Sequence, residues 1–406
     1  MSEILKPRIL RLEIEEADAG KTIKEYLMRK IGFSSKQLSR FKYRRDGILL
    51  NGEKRYVNAA LQAGDVLEIR LTQGGEAAER PDTSVGGAPG EDVENGKAGA
   101  YLAARDGRLQ KIWVKPADWL SERFPLKILY EDGDILAADK PSGVVCHPSP
   151  GHFDDTLSNQ VAEHLGRVGQ ELDVRVTGRL DRDTSGIVVF ALNTETAAQL
   201  IRQRQEQMSG KLYIARVRGH FSRQAGTVDK PLRRENPDSF RMITADDGKS
   251  ARTHYRLLGQ FSDGTSLIIC RIEHGRTHQI RVHMASIGHP LVGDRLYGTE
   301  APADETAFLR NRNPEDRREG KGPGQAADSI SERDSGTGHR SYARRESIPL
   351  QADTPPLMLH AWRAVMRQPF TGEEIRLEAP LPSWARLLPE DVLKKAALWQ
   401  NQNQKN

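Results

Sequence analysis

Val176-Thr177-Gly178-Arg179-Leu180-Asp181-Arg182-Asp183-Thr184-Ser185-Gly186 runs directly into Ile187-Val188-Val189-Phe190-Ala191. The second part is β-branched and aromatic and is bounded by Asn193-Thr194, which predicts a buried strand. Gly186 closes the polar turn ahead of it. The turn sets Asp181 beside the core, with Arg179 and Arg182 flanking it and Thr184 and Ser185 close by. Neighbouring cations favour the charged form of a carboxylate, and a charged carboxylate suits a nucleophile or a base. Local chemistry by itself favours a plainer role, an Asp that caps the turn or pairs with Arg182.

Downstream, Thr194 to Met208 spaces Ala197, Leu200, Ile201 and Met208 for a helix. Lys211 to Val217 reads as a strand with Leu212 and Ile214 on one face and Tyr213, Ala215 and Val217 on the other. A second strand covers Leu267–Ile272. In Gly275-Arg276-Thr277-His278-Gln279-Ile280-Arg281-Val282-His283, the spacing of Ile280, Met284 and Ile287 predicts a helix capped by Thr277 and ended by Gly288 and Pro290. His278 and Arg281 then share a face one turn apart. Upstream, Ile128–Tyr130 and Ile135–Ala138 read as a hairpin that runs into Lys140-Pro141-Ser142-Gly143.

The N-terminal residues 9–72 read as a separate small α/β module. Thr22 to Ile31 forms one amphipathic helix, and a capping box of Ser34 and Gln37 starts another. That second helix and the hairpin turning at Asn51-Gly52 carry Lys36, Arg40, Lys42, Arg44, Arg45 and Lys54, a cationic footprint for phosphates. Residues 73–116 lack apolar periodicity and hold Gly-rich runs, so a flexible linker is expected, letting the module reach a polyanion independently. Residues 299–354 are polar and of mixed charge, the composition of a disordered insertion. Order resumes at Leu357-Met358-Leu359-His360-Ala361-Trp362, and Glu390–Asn406 has the makings of a short helix.

At 406 residues, 37% hydrophobic and 29% charged, the chain has room for two or three cores. No apolar run reaches membrane-spanning length and the start Met1-Ser2-Glu3-Ile4-Leu5-Lys6 has no signal-peptide core, so no membrane association and a cytoplasmic location are expected. The net charge of +5 permits a polyanionic partner without demanding one. Cys146 and Cys270 are too few for a thiolate metal site. His274, His278 and His283 have no recognised metal spacing, so helix-surface and capping roles are expected of them and no metal. Structural roles are expected of His147, His152 and His360.

Together these blocks resemble the RluA-type RNA pseudouridine synthases over residues 126–298 and 357–388. Residues 9–72, with Asp46-Gly47-Ile48-Leu49-Leu50-Asn51-Gly52 and Gly64-Asp65-Val66, resemble the alpha-L RNA-binding domain shared with ribosomal small-subunit protein four. Gly178 stands where the family usually has histidine, as in the sister RsuA-type enzymes, while Ser185 and the intact Gly275–His283 block fit the RluA side. The resemblance implies an α+β pseudouridine synthase fold with a central, mostly antiparallel mixed sheet. It implies an isomerase that turns uridine into pseudouridine in structured RNA, with large-subunit ribosomal RNA favoured over tRNA as partner. It implies a catalytic Asp181 held charged by Arg281, and a Tyr213 that stacks on the uracil and assists proton transfer. Arg179 and Arg182 would help hold phosphates or open the stack, with a plain salt bridge equally open for Arg182. The isomerisation is redox-neutral and adds no external group, so no cofactor and no obligatory protein partner are implied. The competing reading of another class is a non-catalytic RNA-binding or ribosome-assembly protein on the same fold.

Overall fold

The computed structural model describes residues 8–44, 46–71, 102–105, 108–111, 113–149, 151–167, 174–237, 239–298 and 355–387, with Val392 and Ala396. The expected insertion at 299–354, Arg45 and nearly all of the C-terminal tail lie outside the described residues.

The N-terminal module consists of β1 (Ile9–Glu13), α1 (Ile23–Arg29), α2 (Ser35–Lys42), β2 (Ile48–Leu50), β3 (Glu53–Lys54) and β4 (Val66–Arg70). Its antiparallel sheet runs β1-β4-β2-β3. Both helices open on reciprocal capping boxes, Thr22 with Glu25 and Ser34 with Gln37, which satisfy amide donors that the first turn leaves over. Asn51 and Gly52 both take positive φ, the geometry a two-residue hairpin turn requires.

Part of the expected linker is ordered. Leu102–Arg105 (β5) pairs with Arg108–Lys111 (β6) as a hairpin, Trp113 is buried, and α3 (Asp118–Arg123) follows. Nor does the module hang free of the main body. Arg8 grips the buried Asp134 through two hydrogen bonds of 2.7 and 3.1 Å, Arg40 pairs with the buried Glu195, and Arg202 Nη2 donates to the Gly32 carbonyl at 2.8 Å. Phe33 meets Phe370 edge-on, with ring centroids 6.5 Å apart.

The main domain contains β7 (Ile128–Glu131), β8 (Ile135–Lys140), α4 (Leu157–His164), β9 (Arg175–Val176), β10 (Ser185–Ala191) and α5 (Thr194–Gln205). These are followed by β11 (Gly210–Arg218), β12 (Ala225–Asp229), β13 (Leu232–Arg234), β14 (Met242–Thr244), β15 (Arg252–Gln260), β16 (Thr265–Ile272), α6 (Gln279–Ser286), β17 (Leu359–Arg367) and β18 (Glu374–Glu378). Its main sheet runs β12-β15-β16-β11-β17-β10-β8-β7, with β18 beside β17 and β9 beside β10. All pairings are antiparallel except β10 with β17. The fold is therefore α+β on a mixed, mostly antiparallel sheet, as the sequence resemblance implies.

Both faces of the sheet are covered, which explains the unbroken apolar run of β10. Val188 and Phe190 join a core with Leu157 and Val161 of α4 and Ile280 and Met284 of α6. Ile187, Val189 and Ala191 face Ala197 and Leu200 of α5. The alternation expected of β11 holds too: Tyr213, Ala215 and Val217 fall in the first core, and Leu212 and Ile214 pack with Trp362 on the other side.

At the head of β10, Gly186 (φ +104°) lies against the central strand β17, where a Cβ would stand 2.3 Å from the Ala361 carbonyl oxygen. That contact fixes where the polar turn ends and the sheet begins. Gly186→Ala must move backbone and adopt a φ unfavourable for an L side chain, so it is expected to destabilise by at least ~3 kcal/mol. Thermal or denaturant unfolding of the variant checks this.

Candidate active site

The turn between β9 and β10 carries Asp181 at the open end of the sheet. It is pinned from below by Lys140, whose buried ammonium donates at 2.8 Å to each of the carbonyls of Pro141, Val144 and Arg182. Ser142 Oγ donates to the Asp183 carbonyl at 2.7 Å and Gly143 N to the Arg182 carbonyl at 2.9 Å. Leu180 N donates to Cys146 Sγ, and that thiol donates back to the Leu180 carbonyl. The Lys-Pro-Ser-Gly block is thus the bed on which the Asp181 turn rests. Burial pushes the Lys140 ammonium down to about 8. Lys140→Met would leave buried carbonyls short of partners, and a loss of about 2–4 kcal/mol is expected, read as a lowered melting temperature together with lowered activity.

Around Asp181 opens a cleft of about 680 Å³, lined among others by Tyr213 of β11, Arg276 and His278 ahead of α6, and His147. The expected trio is brought together. Arg281 Nη1 lies 3.6 Å from Asp181 Oδ2, and Tyr213 is buried in the cleft wall. The Arg281–Asp181 approach is an ion pair too long for a hydrogen bond. The strong partner of Arg281 is a residue that sequence reasoning missed. Asp294, whose side chain is fully buried, takes Arg281 Nε and Nη2 at 2.8 Å each and also accepts from the amides of Leu296 and Tyr297 at 3.0 and 3.1 Å. Burial works against the Arg281 charge, but the Asp294 bonds and the Asp294 and Asp181 carboxylates outweigh it and push its pKa up.

The helix after this block starts later than expected. Thr277 does not cap it. His278 is the N-cap, in a left-handed conformation (φ 54°, ψ 18°) with no side-chain capping bond. Its ring turns into the site instead: Nδ1 lies 2.9 Å from the Tyr297 hydroxyl and Nε2 lies 4.0 Å from Asp181 Oδ2. Burial pushes the His278 pKa down. Burial likewise pushes the Tyr213 phenol up, with the Asp181 charge adding to the rise, so Tyr213 enters the site as a neutral phenol. His147, expected to be structural, is a cleft residue, and burial followed by the Arg179 charge lowers its pKa.

Charge in the cleft is lopsided. Its lining acids are Asp181 and Glu273, against Arg179, Arg182, Arg204, Lys211, Arg271 and Arg276. Glu273 is already engaged, accepting from His254 at 2.7 Å and Arg252 at 3.2 Å. Asp181 is therefore the one lining carboxylate without a hydrogen-bonded side-chain partner among the described residues. Such a basic recess draws in a polyanion.

Arg179 and Arg182 are exposed beside the cleft, Arg182 paired with Asp183 at 3.1 Å. In the module, Lys36, Lys42 and Lys54 are exposed. Arg40 is turned towards Glu195, and the half-buried Arg44 donates to the carbonyls of Arg70 and Leu71 at 3.2 and 3.3 Å. Ring nitrogens of His283 are occupied by Thr253 Oγ1 and the Lys230 carbonyl. Among the described residues no group of three or more His, Cys, Asp or Glu could hold a metal ion, and no helix is long and apolar enough to cross a membrane.

The sheet, with a carboxylate turn leading into its interior strand β10 and the arginine of α6 facing that turn, forms a recess suited to a polyanionic substrate. The family model described as RNA pseudouridylate synthase matches residues 134–286. Among the chain's relatives, the ribosomal large subunit pseudouridine synthase D of Nitrosomonas europaea is 36% identical over 262 residues, which is 64% of this chain and 64% of that protein. An uncharacterized RNA pseudouridine synthase of Bacillus subtilis, YlyB, is 41% identical over 190 residues, 46% of this chain and 62% of that one. The synthase D of Pseudomonas aeruginosa is 41% identical over 181 residues, 45% of this chain and 56% of its own length. The chain thus matches less than two thirds of the length of these relatives. A human protein titled RNA Pseudouridylate Synthase Domain Containing 1 overlays 67% of this chain and 94% of itself, at 22% identity and a TM-score of 0.44.

Proposed function

We propose that the chain is an RNA pseudouridine synthase acting on uridines of large-subunit ribosomal RNA. The observation that carries this reading is Asp181: an unengaged carboxylate facing a basic cleft, braced by Arg281, inside the matched family domain. The names of the relatives from Nitrosomonas europaea and Pseudomonas aeruginosa point to ribosomal RNA.

The reaction breaks the N1–C1′ glycosidic bond of a uridine and joins C5 of the uracil to the same C1′. The proton leaves C5, N1 gains one, and no electrons enter or leave. A charged carboxylate at the ribose and base is what this chemistry needs, and Asp181 supplies it. Tyr213 offers a flat apolar wall for the uracil and, as a neutral phenol, a proton to give rather than a place to put one. The reacting atoms of a stacked nucleotide are out of reach of a recess of this kind, so the target uridine swings out of its helix into it. Arg179 and Arg182 stand where the neighbouring backbone phosphates would pass, and Lys36, Lys42 and Lys54 extend that footprint on the N-terminal module.

Mapping pseudouridines in total RNA from cells lacking the gene tests the assignment. Loss of one or more pseudouridines from large-subunit ribosomal RNA is the expected result. Loss confined to tRNA would overturn the substrate, and an unchanged map would overturn the activity.

A further inference from the structure

We propose that His278 is a positioning residue of this site, acting with Arg281 to fix one oxygen of Asp181 so that the other faces the uridine. The inference rests on the reading of the cleft as a pseudouridine synthase site.

Both groups approach the same atom. Arg281 Nη1 is 3.6 Å and His278 Nε2 is 4.0 Å from Asp181 Oδ2, and no hydrogen bond engages Oδ1 among the described residues. Each is anchored from behind. Arg281 is clamped by Asp294 at 2.8 Å on two nitrogens. The His278 ring is held through Nδ1 by the Tyr297 hydroxyl at 2.9 Å, with the two rings edge-on and their centroids 5.6 Å apart.

The hydrogen-bond pattern favours one tautomer. Tyr297 Oη already accepts from Met242 N at 2.8 Å, and giving its own hydrogen to His278 Nδ1 completes its bonding. That nitrogen is then the acceptor, and the neutral ring carries its proton on Nε2, the atom that faces Asp181. A donor 4.0 Å away makes no hydrogen bond at that distance. Contacts of this type close when substrate seats.

The backbone supports the same role. His278 sits at φ 54° without capping its helix, a conformation that costs a non-glycine residue free energy and recurs at functional sites. An ordinary N-cap would use an extended backbone and a short side-chain oxygen. Here the left-handed turn aims the imidazole at the carboxylate. A carboxylate held at Oδ2 by two donors no longer exchanges its oxygens by rotation, so Oδ1 is the reacting oxygen.

Two substitutions separate the halves of the imidazole. In His278→Asn the amide oxygen falls where Nδ1 stands, keeping an acceptor for the Tyr297 hydroxyl and losing the contact to Asp181. In His278→Gln the amide nitrogen reaches the place of Nε2. Both tolerate the backbone, since asparagine favours this region and Gln207 adopts φ 57° in this chain. Single-turnover tritium release from RNA labelled at uridine C5 is the readout, with RNA binding measured in parallel. H278N is expected to slow the chemical step by about 10- to 100-fold, the loss of one hydrogen bond to a charged group, with binding unchanged. H278Q is expected to recover most of that loss. Equal rates for H278N and wild type, or equal losses in both variants with melting unchanged, would overturn the proposal. Independently of either variant, the nitrogen-15 spectrum of histidine-labelled wild type is expected to show His278 protonated at Nε2 near neutral pH, and protonation at Nδ1 would overturn it. Wild-type protein that releases no tritium would instead overturn the functional reading itself.

Discussion

Asp181→Asn is expected to remove pseudouridine formation by a factor on the order of 10⁴ or more, the scale of losing a reacting group, while the protein folds and binds RNA as before. The asparagine amide matches the carboxylate in shape and loses both its charge and its ability to attack or to take a proton. Little stability is at stake. The Asp181 side chain is 27% exposed and gives Arg281 only a 3.6 Å ion pair, and Asp294 continues to neutralise the guanidinium. Binding is expected to hold or tighten slightly, because a negative charge leaves a basic cleft. Pseudouridine yield and RNA affinity measured on the same preparation check both halves. Full yield from the variant would remove Asp181 from the chemistry.

Asp294→Ala is expected to act through the fold. It strips the clamp from a buried guanidinium and leaves the amides of Leu296 and Tyr297 without their acceptor. Breaking a buried pair from one side costs about 3–5 kcal/mol, roughly 10 °C in melting temperature for a domain of this size. Activity is expected to fall even well below the melting point, because Arg281 is then free to turn onto Asp181 and engage the oxygen meant for the uridine. A variant that melts with the wild type would show that Asp294 does not carry the load assigned to it.

How much of this was legible in the sequence depended on distance along the chain. Asp181, Tyr213 and Arg281 each lie in a compact block whose polar turn, strand or helix is locally specified, so their elements and their convergence could be read. Asp294 lies 13 residues beyond Arg281 in a turn between Gly293 and Gly298, and nothing local marks it. It becomes meaningful only when the buried guanidinium is seen to need a partner. His278 reads as a helical position because Ile280, Met284 and Ile287 have the right period, yet periodicity is silent about a left-handed residue at the helix start. Counting cations could not sort Lys36, Lys42 and Lys54, which face outward, from Arg40 and Arg44, which serve the module's own packing. The hairpin of Leu102–Arg105 and Arg108–Lys111 was hidden by weak β-propensity, although Asp106-Gly107 between its strands is a turn signal. Docking of the module on the main domain rests on single side chains, Arg8 with Asp134, Arg40 with Glu195 of α5, and Arg202 of α5 with Gly32, which no pattern in the sequence singles out.

The most direct test of the central claim is tritium release by the purified full chain acting on a large-subunit ribosomal RNA transcript labelled at uridine C5. Joining C5 to the ribose must expel that hydrogen, so release matching the pseudouridine formed is the expected result. RNA that binds the protein and keeps all of its tritium would contradict the account.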